Sequence, residues 1–383
     1  MNKDFLYDFN LNQEQELRAK SLHEDSIIID MLFQGPLSPY SIPEHIEEET
    51  KRIADEQTQD PGKKTQIGRK LLLDYAIKGK LPQFKDCWYK SGITAGSRQI
   101  SPGSIESLID TQRQFDSFDW LVKALTVNDI RQAKKDGKKA GIVQTQVPDA
   151  TEKNIDLLDN MYDYGLRVLQ LTYNVQNLIG SGSYERTDSG ISKHGVKFIE
   201  RMNKLGMVVD TGHCGRQTTL DACELSTAPV IASHTSAAGV YNHTRSKTDE
   251  EIKAIANTGG VIGVFAMPTF MLDLEHRFNV TLDNVLDHID YIVKLVGVDH
   301  VGIGTDWPMN ETFWSIGTFK YDIAPKLGFR MEEGPHKEYI IGLKEYSQFI
   351  NITRGLVSRG YTDNDVKKIL GENWLRVFEQ VWK

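Results

Sequence analysis

The sequence predicts an α/β fold, a (β/α)8 TIM-type barrel, on three observations. Short apolar runs recur along the chain, polar-patterned helical stretches separate most of them, and no nucleotide-binding glycine loop follows any run. The runs are 26–31 (SIIIDM), 92–95 (GITA), 140–145 (AGIVQT), 165–172 (GLRVLQLT), 206–210 (GMVVD), 229–233 (PVIAS), 259–265 (GGVIGVF) and 300–305 (HVGIGT). They lack the in/out alternation of a strand with one wet face, as expected of parallel strands covered on both faces. Without a GxGxxG fingerprint or a Walker lysine loop, a nucleotide-binding doubly wound sheet has no local support. Eight successive βα units favour the closed barrel.

The first unit is interrupted by a long charged stretch, 37–88, whose IPEHIEEETKRIADEQ segment is helical in character. It is expected to form a helical insertion that acts as a lid. A helix over 149–164 would place Ile155, Leu158 and Met161 inward, with Thr151 as its N-cap. Another over 192–205 begins on Ser192 and spaces Val196, Ile199 and Met202 by three. Thr248 or Asp249 can cap a helix over 250–257, which Gly259 and Gly260 stop. The stretch 282–296 puts Val285, His288, Ile289 and Ile292 on one face. An aromatic loop, 307–334, follows the eighth run as a pocket wall, and two helices, 339–358 and 363–382, should close the barrel bottom or pack on its flank. Length alone, 383 residues, suggests two or three domains. A barrel of about 250 residues with about 130 of insertion, loop and closing helices accounts for the chain as one domain.

Composition narrows the function classes. The chain is 39% hydrophobic and 26% charged, which excludes global disorder, and 45 basic against 53 acidic residues give a net charge of −8. That balance argues against nucleic acid or an anionic membrane as partner and leaves a small-molecule substrate. Cys87, Cys214 and Cys223 form no CxxC, so no disulfide scaffold is expected. The first twenty residues lack an apolar core of signal-peptide type, and a cytoplasmic protein is expected.

In such a barrel, chemistry sits where the strands end. Asp30 and Gln34 follow run one, and Gln144 and Gln146 share one face at the end of run three. Asp210 and His213 follow run five, Ser233 and His234 end run six, and Thr305 and Asp306 end run eight. Histidines on consecutive units with an aspartate on the eighth are a plausible metal constellation. Blander roles compete: one histidine at a strand end is often structural, Asp306 could cap its loop, and Gln144 and Gln146 could simply bond loops. Cys214 reads as a small buried thiol, since no base is spaced to activate it.

GMVVDTGHCG (206–215) followed by APVIASHTSAAGVYNHTR (228–245) resembles the renal or membrane dipeptidase family, peptidase family M19 of the amidohydrolase superfamily. The family pattern is an MxVDxSH strand, an APVxxSHSxA strand and an HxR loop. GLRVLQLTYN and ILGENWLRVFEQV are similar to its GxRxxxLTHN strand and GxNxLRV closing helix. The resemblance runs over roughly 27–383 and implies a barrel with a two-zinc site that hydrolyses dipeptides and related small amides. By position it implies that His213 and His234 bind the second zinc and Arg245 binds the substrate carboxylate. It places Asp306 near the substrate amine and the attacking water, and it implies a homodimer.

Three positions depart. Leu32 and Gln34 stand where the family has its first HxD pair, Gln144 where it has the bridging glutamate, and Tyr173 where it has the LTHN histidine. Leucine cannot ligate a cation, and without a bridging carboxylate two adjacent divalent ions would repel with nothing to offset it. The expectation is therefore one divalent ion at most, zinc first, held by His213, His234 and Asp306 with Gln144 as a weak fourth donor, or no ion. Asp306 and Tyr173 are the candidate catalytic residues, Tyr173 as a hydrogen-bond donor to an oxyanion. Arg245, Gln144 and Tyr173 are the candidate substrate-binding residues. The leading reading is a hydrolase of a small carboxylate-bearing amide. A repurposed lyase, decarboxylase or isomerase and a non-catalytic ligand-binding protein remain open beside it.

Overall fold

The structure, a computed structural model, describes residues 6–33, 43–100, 103–272, 276, 279–306 and 340–383. Eight parallel strands close a barrel: β1 (Ile29–Asp30), β2 (Ala95–Gln99), β3 (Lys139–Thr145), β4 (Leu166–Gln170), β5 (Val208–Asp210), β6 (Val230–Ala237), β7 (Ile262–Val264) and β8 (Val301–Ile303). Each strand pairs with the next in this order, and Asp30 of β1 pairs with Ile303 of β8 to complete the ring. Two short strands lie outside it, Leu121–Lys123 beside β3 and Ser246–Lys247 beside β6. All eight expected runs contribute a strand. β2 starts where its run ends, because Gly92 (φ 74°) caps the helix Gln83–Ser91 and the chain extends only afterwards. Its sequence, AGSRQ, is small and polar, so hydrophobicity does not mark it.

Helix signals work where capping chemistry is clear. Ser192 accepts from Gly195 N at 3.0 Å and starts Lys193–Leu205; Thr248 and Glu251 form a capping box for Asp249–Asn257; Leu282–Val296 has its expected bounds. The helix expected over 149–164 shrinks to Leu157–Asp163. Thr151 is no N-cap: its hydroxyl donates back to Pro148 O at 3.0 Å and holds a turn. The helix expected over 339–358 is a 3₁₀ turn, Tyr346–Gln348, and a helix, Ile350–Ser358, after Gly342 at φ 98°. Residue 339 lies outside the described residues.

The chain end closes the bottom of the barrel. Asp363–Lys367 continues through a π-turn, Lys368–Glu372, into Asn373–Val381. The turn brings Gly371 against β1, where a Cβ would come within 2.1 Å of Ile27 O. Asn373 donates to Val298 O and Val301 O at 2.7 and 2.8 Å, and Trp374 Nε1 to Ile303 O at 3.2 Å. The insertion supplies helices Glu44–Gln57, Pro61–Ile77 and Gln83–Ser91. Its Leu72, Leu73, Phe84 and Trp88 share one buried cluster with Ile28, Phe33 and Ile303. The expected aromatic loop, 307–334, and Gln34 lie outside the described residues.

Candidate active site

The mouth is built by residues that end β3 to β6 and β8. β5 ends in Asp210, and the chain then turns through Gly212, where a Cβ would meet Gln170 Oε1 at 2.9 Å and the His234 ring at 3.1 Å. Glycine there lets His213 follow directly. His213 is 2% exposed and His234 0%, and their ring centroids lie 4.8 Å apart, so the structure brings the expected pair together.

Both rings are tied at Nδ1. His213 Nδ1 lies 2.6 Å from Asn174 Oδ1, and His234 Nδ1 lies 2.8 Å from Ser233 Oγ. Among the described residues His213 Nε2 is buried with no hydrogen-bond partner, and His234 Nε2 has the Gln146 amide nitrogen at 3.2 Å. Burial, then the charge of Arg245, holds both imidazoles well below their usual pKa, so both are neutral at neutral pH. Tyr173 stacks on His213, centroids 4.0 Å apart, and its hydroxyl is pushed up by burial and then by Asp306.

Arg245 lies beneath this pair, 1% exposed. One guanidinium nitrogen donates to Gly212 O and another lies 3.5 Å from His234 O, while Nε is buried without a partner among the described residues. Burial lowers its pKa, and Tyr184, Asp306 and Tyr173 oppose that shift. A desolvated guanidinium with an unused donor is suited to a carboxylate.

Asp306 follows β8 in the left-handed region, φ 48°, with its N–H on Leu32 O at 3.1 Å. Aspartate tolerates this conformation better than most residues, and strained backbone of this kind clusters at working sites. Asp306 is half-buried and acts electrostatically on Tyr173 and Arg245. Among the described residues no group of three or more His, Cys, Asp or Glu side chains is placed to hold a metal ion. The expected set His213, His234 and Asp306 is thus not assembled; Asp306 belongs with the guanidinium and the phenol.

The departing positions are equally definite. Leu32 is fully buried and offers no donor. Gln144 is buried, donates from Nε2 to Asp210 Oδ2 at 3.3 Å, and leaves Oε1 without a partner among the described residues. A two-ion site does not fit these residues, because the bridging position carries no charge. A single cation does fit: two neutral imidazoles present bare or weakly held Nε2 atoms, and one neutral amide oxygen is unused. Cys214 is buried, and burial raises its thiol to about 11, which leaves it protonated and unreactive.

The spacing of motifs did not reveal the supports. Asn174 fixes His213, and Gln170 accepts from His213 N at 3.2 Å while donating to Gln146 O and Thr172 O. Both stand in the LQLTYN stretch, two residues either side of Thr172, so strand-end polarity was the available signal.

Fold and mouth together define a barrel of the amidohydrolase type. The chain is similar to an amidohydrolase from Pseudomonas aeruginosa of solved structure, 27% identical with a TM-score of 0.73 over 95% of this chain and 99% of that one. The chain belongs to the membrane dipeptidase family, peptidase family M19, whose description matches residues 107–314 and 333–383. It is 31% identical over 226 residues to an uncharacterized dipeptidase of Schizosaccharomyces pombe, covering 58% of this chain and 48% of that protein. It is 27% identical over 286 residues to the dipeptidase verJ of Clonostachys rogersoniana, covering 72% and 66%. The chain therefore spans about half to two thirds of the length of these curated relatives.

Proposed function

We propose that this protein is a hydrolase of small carboxylate-bearing amides of the dipeptide type, working with one divalent ion at most. The observation that carries the reading is a buried His213 Nε2 without a partner in a mouth that also holds the unused Nε of Arg245. A fold keeps a buried polar atom unpaired at a cost of roughly 1–3 kcal/mol each, and two such atoms in one strand-end mouth are consistent with a site for an ion or a ligand. Arg245 orients the substrate by its carboxylate. His213 and His234 are the residues that would hold the ion, zinc by donor type, with Gln144 Oε1 as a weak third donor. When bound there, a divalent ion supplies Lewis-acid polarisation of the scissile carbonyl and the attacking water.

The remaining steps belong to the chain. Tyr173, kept protonated by burial, donates a hydrogen bond where negative charge develops on the carbonyl oxygen. Asp306 faces the same space as Tyr173 and Arg245 and serves the substrate amine or takes the proton of the attacking water. Hydrolysis of a panel of dipeptides, against the same panel with blocked C-terminal carboxylates, tests the reading. Cleavage only of free-carboxylate substrates is expected, and turnover of neither set overturns it.

Gln144 and Leu32 favour a second reading, a lyase, decarboxylase or isomerase on the same mouth. A neutral amide and an apolar side chain stand where the family carries ligands, and barrels change reaction through such strand-end positions. Turnover of non-peptide carboxylates with no cleavage of dipeptides selects it.

A further inference from the structure

We propose that Asp210 and Ser233 are positioning residues that fix the tautomer of His234, and that Asn174 does the same for His213. Both imidazoles are thereby presented to the mouth as bare Nε2 acceptors. The use of those acceptors rests on the function proposed above; the tautomers do not.

The argument is one of donors and acceptors. Asp210, Ser233 and His234 are all 0% exposed, so bulk water does not compete for their hydrogen bonds. Ser233 Oγ lies 2.6 Å from Asp210 Oδ2 and 2.8 Å from His234 Nδ1. The Ser233 hydroxyl donates to Asp210 Oδ2, so its single hydrogen goes to the carboxyl group. The serine oxygen then has only lone pairs left for His234, and Nδ1 must carry the ring proton.

The opposite edge of the ring gives the same answer independently. The Gln146 side-chain nitrogen stands 3.2 Å from His234 Nε2. An amide nitrogen only donates, so Nε2 is the acceptor. In the amide orientation of this structure Asn174 Oδ1 lies 2.6 Å from His213 Nδ1 and accepts from it, which sets the same tautomer there.

Asp210 is itself held off the mouth. It takes Gly212 N at 2.9 Å, Ser233 N at 2.8 Å, Ser233 Oγ at 2.6 Å and Gln144 Nε2 at 3.3 Å. Those four donors fill the usual capacity of one carboxylate. It can orient a neighbour and cannot reach a substrate. Joining strands does not by itself call for the ring contact: Asp30 takes Thr305 N and the Thr305 hydroxyl at 2.8 and 2.5 Å in the same way, and the residue after Thr305 is Asp306.

Nitrogen–proton correlation spectra of the histidine rings in the full chain test this, with His213→Gln and His234→Gln to assign the signals. The expected wild-type result is a protonated Nδ1 and an unprotonated Nε2 for both residues; a protonated Nε2 on His234 overturns the proposal without any further variant. Ser233→Ala should give His234 an Nε2-protonated or mixed population and weaken Zn²⁺ binding about 10- to 100-fold. Ser233→Thr, which keeps the hydroxyl, should restore both. An unchanged His234 tautomer in Ser233→Ala overturns the positioning role. Wild-type protein with the expected tautomers that fails to bind Zn²⁺ supports the positioning role and overturns the one-ion hydrolase reading instead.

Discussion

At the seam between β8 and β1, Asp30 accepts from Leu32 N at 3.1 Å, Thr305 N at 2.8 Å and the Thr305 hydroxyl at 2.5 Å. At the seam between β5 and β6, Asp210 accepts from Gly212 N at 2.9 Å, Ser233 N at 2.8 Å and the Ser233 hydroxyl at 2.6 Å. Each carboxylate thus binds the amide two residues on and both donors of one residue on the neighbouring strand. The seams differ in what stands beside the lock. Ser233 reaches on to His234, whereas Leu32 and Asp306 flank the other pair and, among the described residues, no imidazole does. Among the described residues the carboxylate–hydroxyl lock joins strands at both seams, and the imidazole pair to which we assign the proposed ion stands beside the β5–β6 seam.

The largest expected effect strikes the seam that carries chemistry. Arg245→Ala should lower kcat/KM on a free-carboxylate dipeptide by about 100- to 1000-fold, since a buried guanidinium is lost from the ligand. It should erase the preference over the amidated substrate, which steady-state kinetics on both will read. Tyr173→Phe should lower kcat about 100-fold with KM nearly unchanged, as removal of an oxyanion donor does; an equal change in KM would place Tyr173 in ground-state binding.

Gln144→Glu should move the site back toward a charged ligand set. Without ions the new carboxylate faces Asp210, so thermal unfolding should show a loss of about 1–3 kcal/mol, and Zn²⁺ should restore the stability. Recovery without ions would mean that Gln144 does not sense Asp210.

The two lock carboxylates should respond differently to the same change. Asp210→Asn is expected to weaken Zn²⁺ binding by about 10- to 100-fold. Asp30→Asn should leave activity within about twofold, because no ligand hangs on it. It should act on the pH dependence of stability instead. Burial raises Asp30 to about 6, above its unfolded value, so the folded protein binds that proton more tightly. Its contribution to stability rises as pH falls from about 6 to about 4, and Asp30→Asn removes that rise. Buried His23 and His288, both lowered to about 4, slope the other way: the unfolded chain takes their protons first, below about 6.5. The difference between variant and wild type in urea titrations at pH 7, 5.5 and 4.5 isolates Asp30.

Much of the fold was legible because covered parallel strands must be apolar, and seven strands overlap their runs closely. β2 was not, because AGSRQ is accommodated by close packing: a Cβ on Gly96 would strike the Phe33 ring at 2.8 Å. The histidine pair was legible from its place after two consecutive strands. Its supports were not. Asn174 meets His213 across 39 residues, and Thr305 meets Asp30 across 275, contacts that exist only once the barrel closes. The left-handed backbone of Asp306 and its electrostatic pairing with Arg245 and Tyr173 were not legible, because spacing does not carry backbone conformation.

Metal stoichiometry tests the central claim most directly. Protein purified without chelator, saturated with Zn²⁺ and freed of excess ion, should carry about one ion per chain by elemental analysis. His213→Ala and His234→Ala should each abolish it. Two ions per chain would contradict the account outright, and less than about 0.2 ion per chain would overturn its metal-dependent version.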